Sequence, residues 1–196
     1  KPGEGYSYVC QTLDMGISYY RLVYARLTGE PFVVAETKNL LIREMTTKDL
    51  PELYAVYSTL EDCQYIEQLY DYDKELEFTK NYIKNMYGFF EYGLWLVFEK
   101  KSGELIGRAG IENREIDGVT CCEIGYLIRR DMQHKGYAYE ACQAILEYAS
   151  DELGIQEMFA VIDKTNEPSR KLARKLGFEL YAQTDGGPDL YKFVFG

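Results

Sequence analysis

The chain is poor in histidine and tryptophan, with one residue of each among 196. With His134 as its single imidazole, a Ser–His hydrolytic triad could be built only inside the polar loop that holds it. A zinc site lacks the usual nitrogen donors for the same reason. The five cysteines, Cys10, Cys63, Cys121, Cys122 and Cys142, form no C-x-x-C pair. On a strand, adjacent Cys121 and Cys122 point to opposite faces and do not share a metal easily. No metal is therefore expected, and reduced thiols in a cytoplasmic protein are the simplest reading. No apolar run approaches the roughly 18 residues of a membrane span. The start, Lys1-Pro2-Gly3-Glu4-Gly5, has neither an initiator Met nor an apolar block of signal-peptide type, and reads as a trimmed end.

Positive charge is also scarce. Lys and Arg total 22 against 32 Asp and Glu, leaving a net charge of −10. Such a surface repels polyphosphate, which excludes an ordinary nucleic-acid binder. It fits either plain solubility or a cationic partner. The phosphate motifs G-x-x-x-x-G-K-[ST] and G-x-G-x-x-G are missing, as is the G-x-S-x-G nucleophile elbow.

What is present suits one folded domain: 46% hydrophobic and 28% charged residues. Residues 40–43 read as a short strand, and Thr46-Thr47-Lys48-Asp49 as a capping box opening a helix to about residue 60. After an acidic, turn-rich stretch, Asp73 is expected to cap a second helix with Leu76, Ile83 and Met86 along one side. Strands are expected over 94–98, 105–111 and 120–128, with turns at Lys101-Ser102-Gly103 and Asp117-Gly118. A helix from about Gly136 to Leu153 carries an apolar stripe of Ala138, Ala141, Cys142, Ile145 and Ala149, and Gly154 ends it. Residues 158–162 form a buried-looking strand. Asn166-Glu167-Pro168 opens a last helix closed by Gly177, and a hairpin around Asp185-Gly186-Gly187-Pro188 forms the tail. Residues 1–38 read as a separate extension, helical over 13–27 with Ile17, Tyr20 and Tyr24 on one side, and residues 39–196 as the domain proper. No internal repeat is visible.

The informative unit is the strand 120–128, the polar loop 129–135 and the helix opening at Gly136. A helix start leaves N–H groups unpaired and carries partial positive charge, and a glycine there admits a phosphate close to the backbone. Many such units bind nothing.

Here a resemblance narrows the reading. Gln133-x-x-Gly136-x-Ala138 matches the Q/R-x-x-G-x-G/A signature of the GNAT superfamily of N-acetyltransferases. Cys122-Glu123-Ile124-Gly125-Tyr126-Leu127-Ile128 resembles the strand that precedes it in that family. Asn166-x-x-Ser169 with Lys175-Leu176-Gly177-Phe178 resembles the family's last helix, particularly in the branch that acetylates ribosomal-protein N-termini. The likeness spans about residues 40–195.

The resemblance implies a mixed α/β (α+β) fold, with a mostly antiparallel sheet of about seven strands flanked by helices. It implies acetyl-CoA as co-substrate and acetyl transfer to an amine without an acyl-enzyme. Backbone N–H groups of Gln133, His134, Lys135, Gly136, Tyr137 and Ala138 would hold the coenzyme pyrophosphate. Leu127, Ile128 and Arg129 would pair with the pantetheine arm, and Asn166 would reach it from the last helix. Glu123 is the candidate base, against the alternative of a strand glutamate paired with a cation. Ser169 is the candidate acid, against the alternative of a helix-capping hydroxyl. Many relatives place a Tyr where this chain has Ala173. The acceptor would be a small-molecule amine or a basic peptide N-terminus, drawn by Glu61, Asp62, Glu67, Asp71, Asp73, Glu75 and Glu77 if these are more than a solvated face. A non-catalytic acyl-CoA-binding module of the same fold, and an enzyme using a longer acyl group, are the rival readings.

Overall fold

The computed structural model describes residues 13–116 and 118–196, with side chains from Tyr19 onward. Cys10, the first five residues, the Ile17 side chain and Asp117 of the expected turn lie outside the described residues.

The chain divides into two compact units at Phe32/Val33. In the first, helix α1 (Leu13–Thr28) occupies the stretch expected to be helical. Its Tyr20 and Tyr24 are exposed, as are Tyr19 and Leu27.

The second unit is a sheet with helices on both faces. Its strands are β1 (Val33–Glu36), β2 (Leu40–Arg43), β3 (Leu94–Glu99), β4 (Leu105–Ile116), β5 (Val119–Ile128), β6 (Glu157–Ile162), β7 (Glu179–Gln183) and β8 (Asp189–Val194), in the spatial order β1-β2-β3-β4-β5-β6-β8-β7. There are eight strands rather than about seven. The added one is β1, an edge strand from within the segment 1–38, which pairs antiparallel with β2 through Ala35↔Ile42. Every neighbouring pair is antiparallel except β5 and β6, which run parallel and share the single register pair Glu123↔Phe159.

The helices are α2 (Leu50–Ser58), α3 (Tyr72–Tyr82), α4 (Tyr137–Asp151) and α5 (Glu167–Leu176). A 3-10 turn, Thr47–Asp49, leads into α2. Asp49 accepts the Thr46 N–H at 2.7 Å and the Arg43 guanidinium at 2.7 Å, which fixes this turn to β2. Asp71, not Asp73, caps α3. Asp71 has the extended backbone a cap requires (φ −60°, ψ 159°), and its carboxylate accepts the Lys74 N–H at 3.2 Å. Asp73 instead lies inside the first turn. A π-helical segment, Ile83–Phe90, prolongs α3.

Alternation along the strands sorts the core. Trp95, Ala109, Ile111, Ile124 and Ile128 point to the face that α4 covers, where the Trp95 and Tyr148 rings meet edge-on at 5.4 Å. Each fully buried Ile or Leu there contributes about 1.5–3 kcal/mol. The opposite face of the β4–β5 ribbon carries Arg108, Glu112, Arg114 and Glu123 and lies beneath α2, whose Tyr57 meets Arg108. A charged stripe on an inner face is costly to bury unless its members are paired or meet a ligand.

Candidate functional site

The site begins where the sheet opens. Beyond Glu123↔Phe159, β5 and β6 no longer pair, so a gap widens toward Ile128. The Arg129 N–H still donates to the Ile106 carbonyl at 2.7 Å. Because ladder bonds alternate in antiparallel pairs, Leu127 also spends its backbone groups on β4. Tyr126 and Ile128 therefore turn theirs into the gap. The expected trio is thus split: Ile128 faces the gap, whereas Leu127 and Arg129 do not offer it backbone donors. Tyr126 takes the place beside Ile128. Alternation applied to the paired strand is the signal that would have found it. The Arg129 side chain is held by Asp131 at 2.8 Å and Glu104 at 3.0 Å.

The loop after β5 forms a cradle. Gln133 is extended and its amide donates to the Ile128 carbonyl at 2.9 Å, tying the loop to the gap. His134 and Gly136 both have positive φ, 61° and 87°. The first α4 bond runs from the Glu140 N–H to the Gly136 carbonyl at 3.0 Å, so the N–H groups of Tyr137, Ala138 and Tyr139 have no helical acceptor. A Cβ built on Gly136 would meet nothing within 4 Å, so the approach to these donors is open. Neighbouring side chains are engaged elsewhere. Lys135 lies on the Met132 sulfur at 3.1 Å, and the Tyr137 hydroxyl donates to Glu99. Glu140 clamps the first turn of α4 to the β1–β2 turn, accepting from the Thr37 hydroxyl at 2.6 Å and the Asn39 N–H at 2.8 Å. His134 is exposed.

The charged face lies across the gap. Glu123 is buried, with Oε2 2.6 Å from Arg114 Nε and Oε1 accepting the Val161 N–H at 3.3 Å. It sits at the apex of the splay and replaces a ladder bond there. Directly opposite in register is Glu112. Its Oε2 would lie 2.9 Å from a Cβ on Gly125, so the glycine is what lets the carboxylate lie over β5. Among the described residues Glu112 makes no hydrogen bond or ion pair. Burial, and then the charge of Glu123, raise its pKa above the ordinary carboxylate value. Arg108, four residues earlier on the same face, is only 6% exposed, and its Nε has no hydrogen-bond partner among the described residues. Sequence reasoning singled out Glu123 but passed over Glu112 and Arg108. The β4–β5 register was the missing signal.

The last helix supplies the other wall. Asn166 is the α5 cap, accepting the Ser169 N–H at 3.2 Å, so the Ser169 hydroxyl is free of capping duty. It faces the Tyr126 phenol, whose pKa burial raises, with Ser169 opposing. The two hydroxyls do not attain hydrogen-bond geometry, and the Tyr126 oxygen is buried without a partner. Ala173 is buried in the same wall. Of the acidic run, Asp62 pairs with Arg130, Asp71 caps α3, and Glu75 is buried, accepting the Tyr70 N–H at 3.1 Å. Those three hold the fold. Glu61, Glu67, Asp73 and Glu77 remain exposed. A continuous cleft of about 1180 Å³ connects Gly136, Tyr126, Ser169, Glu112 and Arg108.

A family model described as an acetyltransferase (GNAT) domain matches residues 39–179. The chain belongs to the GNAT family. Two Bacillus subtilis relatives illustrate the likeness. YkkB is 32% identical over 134 residues, covering 68% of this chain and 72% of its own length. YnaD, named as an N-acetyltransferase, is 33% identical over 143 residues, covering 72% and 79%. Among solved structures, RimL, a ribosomal L7/L12 α-N-protein acetyltransferase in complex with coenzyme A, superposes with a TM-score of 0.68 at 16% identity, over 83% of this chain and 97% of that one. At that identity the match speaks for the fold alone. Among the described residues, no helix of this GNAT chain is long and apolar enough to cross a membrane.

Proposed function

We propose that this GNAT protein is an acetyl-CoA-dependent N-acetyltransferase that transfers the acetyl group to a primary amine by direct attack on the thioester. The observation that carries the reading is the single β5–β6 bridge, which leaves a gap running from an open helix N-terminus to an unpartnered carboxylate.

In this reading the backbone of residues 133–138 holds the pyrophosphate, drawn by the helix N-terminus. The gap-facing groups of Tyr126 and Ile128 pair with the pantetheine arm, helped by the Asn166 amide. Glu112 takes the proton from the incoming ammonium, which cannot attack while charged. Glu123 stands behind it and keeps it basic enough for the task. The amine nitrogen bonds to the thioester carbon, and the Ile128 N–H faces the oxygen as negative charge grows there. The C–S bond then breaks. A thiol of pKa about 8.5 leaves as its anion without obligatory protonation, so the loss of a Tyr at Ala173 is tolerable. Ser169, with Tyr126 beside it, can return a proton to the sulfur.

The acceptor is a small amine or a basic peptide N-terminus, the latter being the kind of substrate that the name of RimL describes. The free cysteines among the described residues, Cys63, Cys121, Cys122 and Cys142, accord with a cytoplasmic setting.

The test is release of coenzyme thiol when amines are added to protein and acetyl-CoA, with propionyl- and succinyl-CoA as alternative donors. Turnover above background supports transfer. Absence of donor affinity would refute the reading altogether. Ala173 favours one rival, a non-catalytic binding module, which would bind the thioester and release no thiol.

A further inference from the structure

Arg108 is the least explained charge in the domain. It is 94% sequestered beneath α2, in the cleft wall, yet it forms no ion pair among the described residues. Its Nη1 reaches only the Tyr57 hydroxyl, at a long 3.4 Å, and its guanidinium carbon stands 5.9 Å from the centre of the Tyr82 ring. Nε has no hydrogen-bond partner among the described residues. A buried guanidinium without an anion is strongly unfavourable unless a ligand supplies one. Its planar fork matches a carboxylate or phosphate.

The acid on its own strand face is Glu112, four residues away, a Cα separation of about 13 Å. The two form no ion pair among the described residues, although the Arg108 charge is felt at Glu112 and opposes the rise of its pKa. Between them lie Gly110 and Gly125, which pair with each other across β4 and β5. A Cβ on Gly110 would stand 2.0 Å from the Gly93 carbonyl oxygen, so no side chain fits at that position. The floor between the opposite charges is glycine backbone, with the Glu112 carboxylate and the Leu94 side chain lying over Gly125, and Tyr70 and Tyr82 line the same cleft.

We propose that the acceptor is a small zwitterion: a primary amine whose other end carries one anionic group, with the nitrogen against Glu112 and the anion paired with Arg108. This rests on the transfer reading above and narrows it. A polyamine or an aminoglycoside leaves Arg108 unmatched, and a peptide N-terminus matches it only by accident of sequence.

Matched twins test this in the thiol-release assay with the full chain and acetyl-CoA. Glycine, β-alanine, 4-aminobutyrate and 6-aminohexanoate are compared with their amides, and O-phosphoethanolamine with ethanolamine. At least one anionic member should exceed its neutral twin in kcat/KM by about 30-fold or more, the effect of completing a buried charge pair. The chain-length optimum reports the spacing, and the phosphate pair shows which anion is preferred. Arg108→Gln should narrow that ratio at least tenfold, chiefly through the acceptor KM, and Arg108→Lys should restore part of it. If Arg108→Gln fails to fold, the wild-type twins still decide. Equal use of neutral twins, or preference for peptide amines, overturns the inference and leaves acetyl transfer standing. Silence with every amine overturns both.

Discussion

The two sides of the gap are built from different materials. On the side proposed for the donor, the cradle from Gln133 to Ala138 presents main-chain N–H groups, while the side chains of Lys135 and Tyr137 are tied to Met132 and Glu99. On the side proposed for the acceptor the backbone is consumed by the β4–β5 ladder, and what faces the cleft is side-chain charge without ion pairs among the described residues, Glu112 and Arg108. A site that must grip the same coenzyme is best made from backbone, which does not vary with sequence. A site that must choose its own amine is best made from side chains, which do.

The sharpest way to break this contrast is Glu112→Gln. Loss of a general base should lower kcat by about 10²–10⁴-fold, and calorimetric titration should show acetyl-CoA affinity little changed. Equal losses in donor binding would mean the two sides are not separable. Next in size, Gly136→Val forces a branched side chain to a φ of 87°. The strain of roughly 1–2 kcal/mol should weaken donor binding about tenfold, with a smaller effect on kcat.

A finer test concerns pH. The raised pKa of Glu112 owes part of its shift to the charge of Glu123. In Glu123→Gln that charge is gone and Arg114 is released, so both changes favour ionised Glu112 and lower its pKa. Because the base must be deprotonated, the acid limb of kcat/KM should move to lower pH. A limb that stays put or moves upward would assign the titration to another group. The sign for stability is the opposite of the usual carboxylate case. Glu112 contributes stability that is present below its unfolded pKa and lost as pH rises through the raised folded value.

The smallest effect is expected at His134→Asn. His134 is exposed at φ 61°, and asparagine tolerates that conformation. Donor affinity should stay within the roughly 0.5 kcal/mol typical of surface changes. A larger loss would show that the imidazole itself touches the coenzyme.

The same division explains what could be read in advance. The cradle was legible because its requirements are local: an extended Gln133, a glycine at positive φ and a helix start lie within a few residues. Asn166 and Gly177 marked the ends of α5 for the same reason. The acceptor face was not legible because it depends on pairing. Glu112 in Glu112-Asn113-Arg114-Glu115 looks like any solvated charge until the hairpin register sets it opposite Glu123. Strand β1 is four residues long and gains its identity only from β2 beside it. Asp71 and Asp73 are equally plausible caps by composition, and the local backbone chose between them.

The lone β5–β6 bridge has a thermodynamic corollary. The sheet is two leaves, β1 to β5 and β6-β8-β7, joined within the sheet at one point and by the Glu123 contact to Val161. A pantetheine arm lying in the opening would act as a seam between them, so the C-terminal leaf would owe part of its rigidity to the donor proposed for it. At a hundred times its dissociation constant the donor would add about 2.7 kcal/mol to the folded state. The slowed amide exchange should be concentrated along β6 and the end of β5, and a cell low in the thioester would hold a looser population of this protein than one that is well fed.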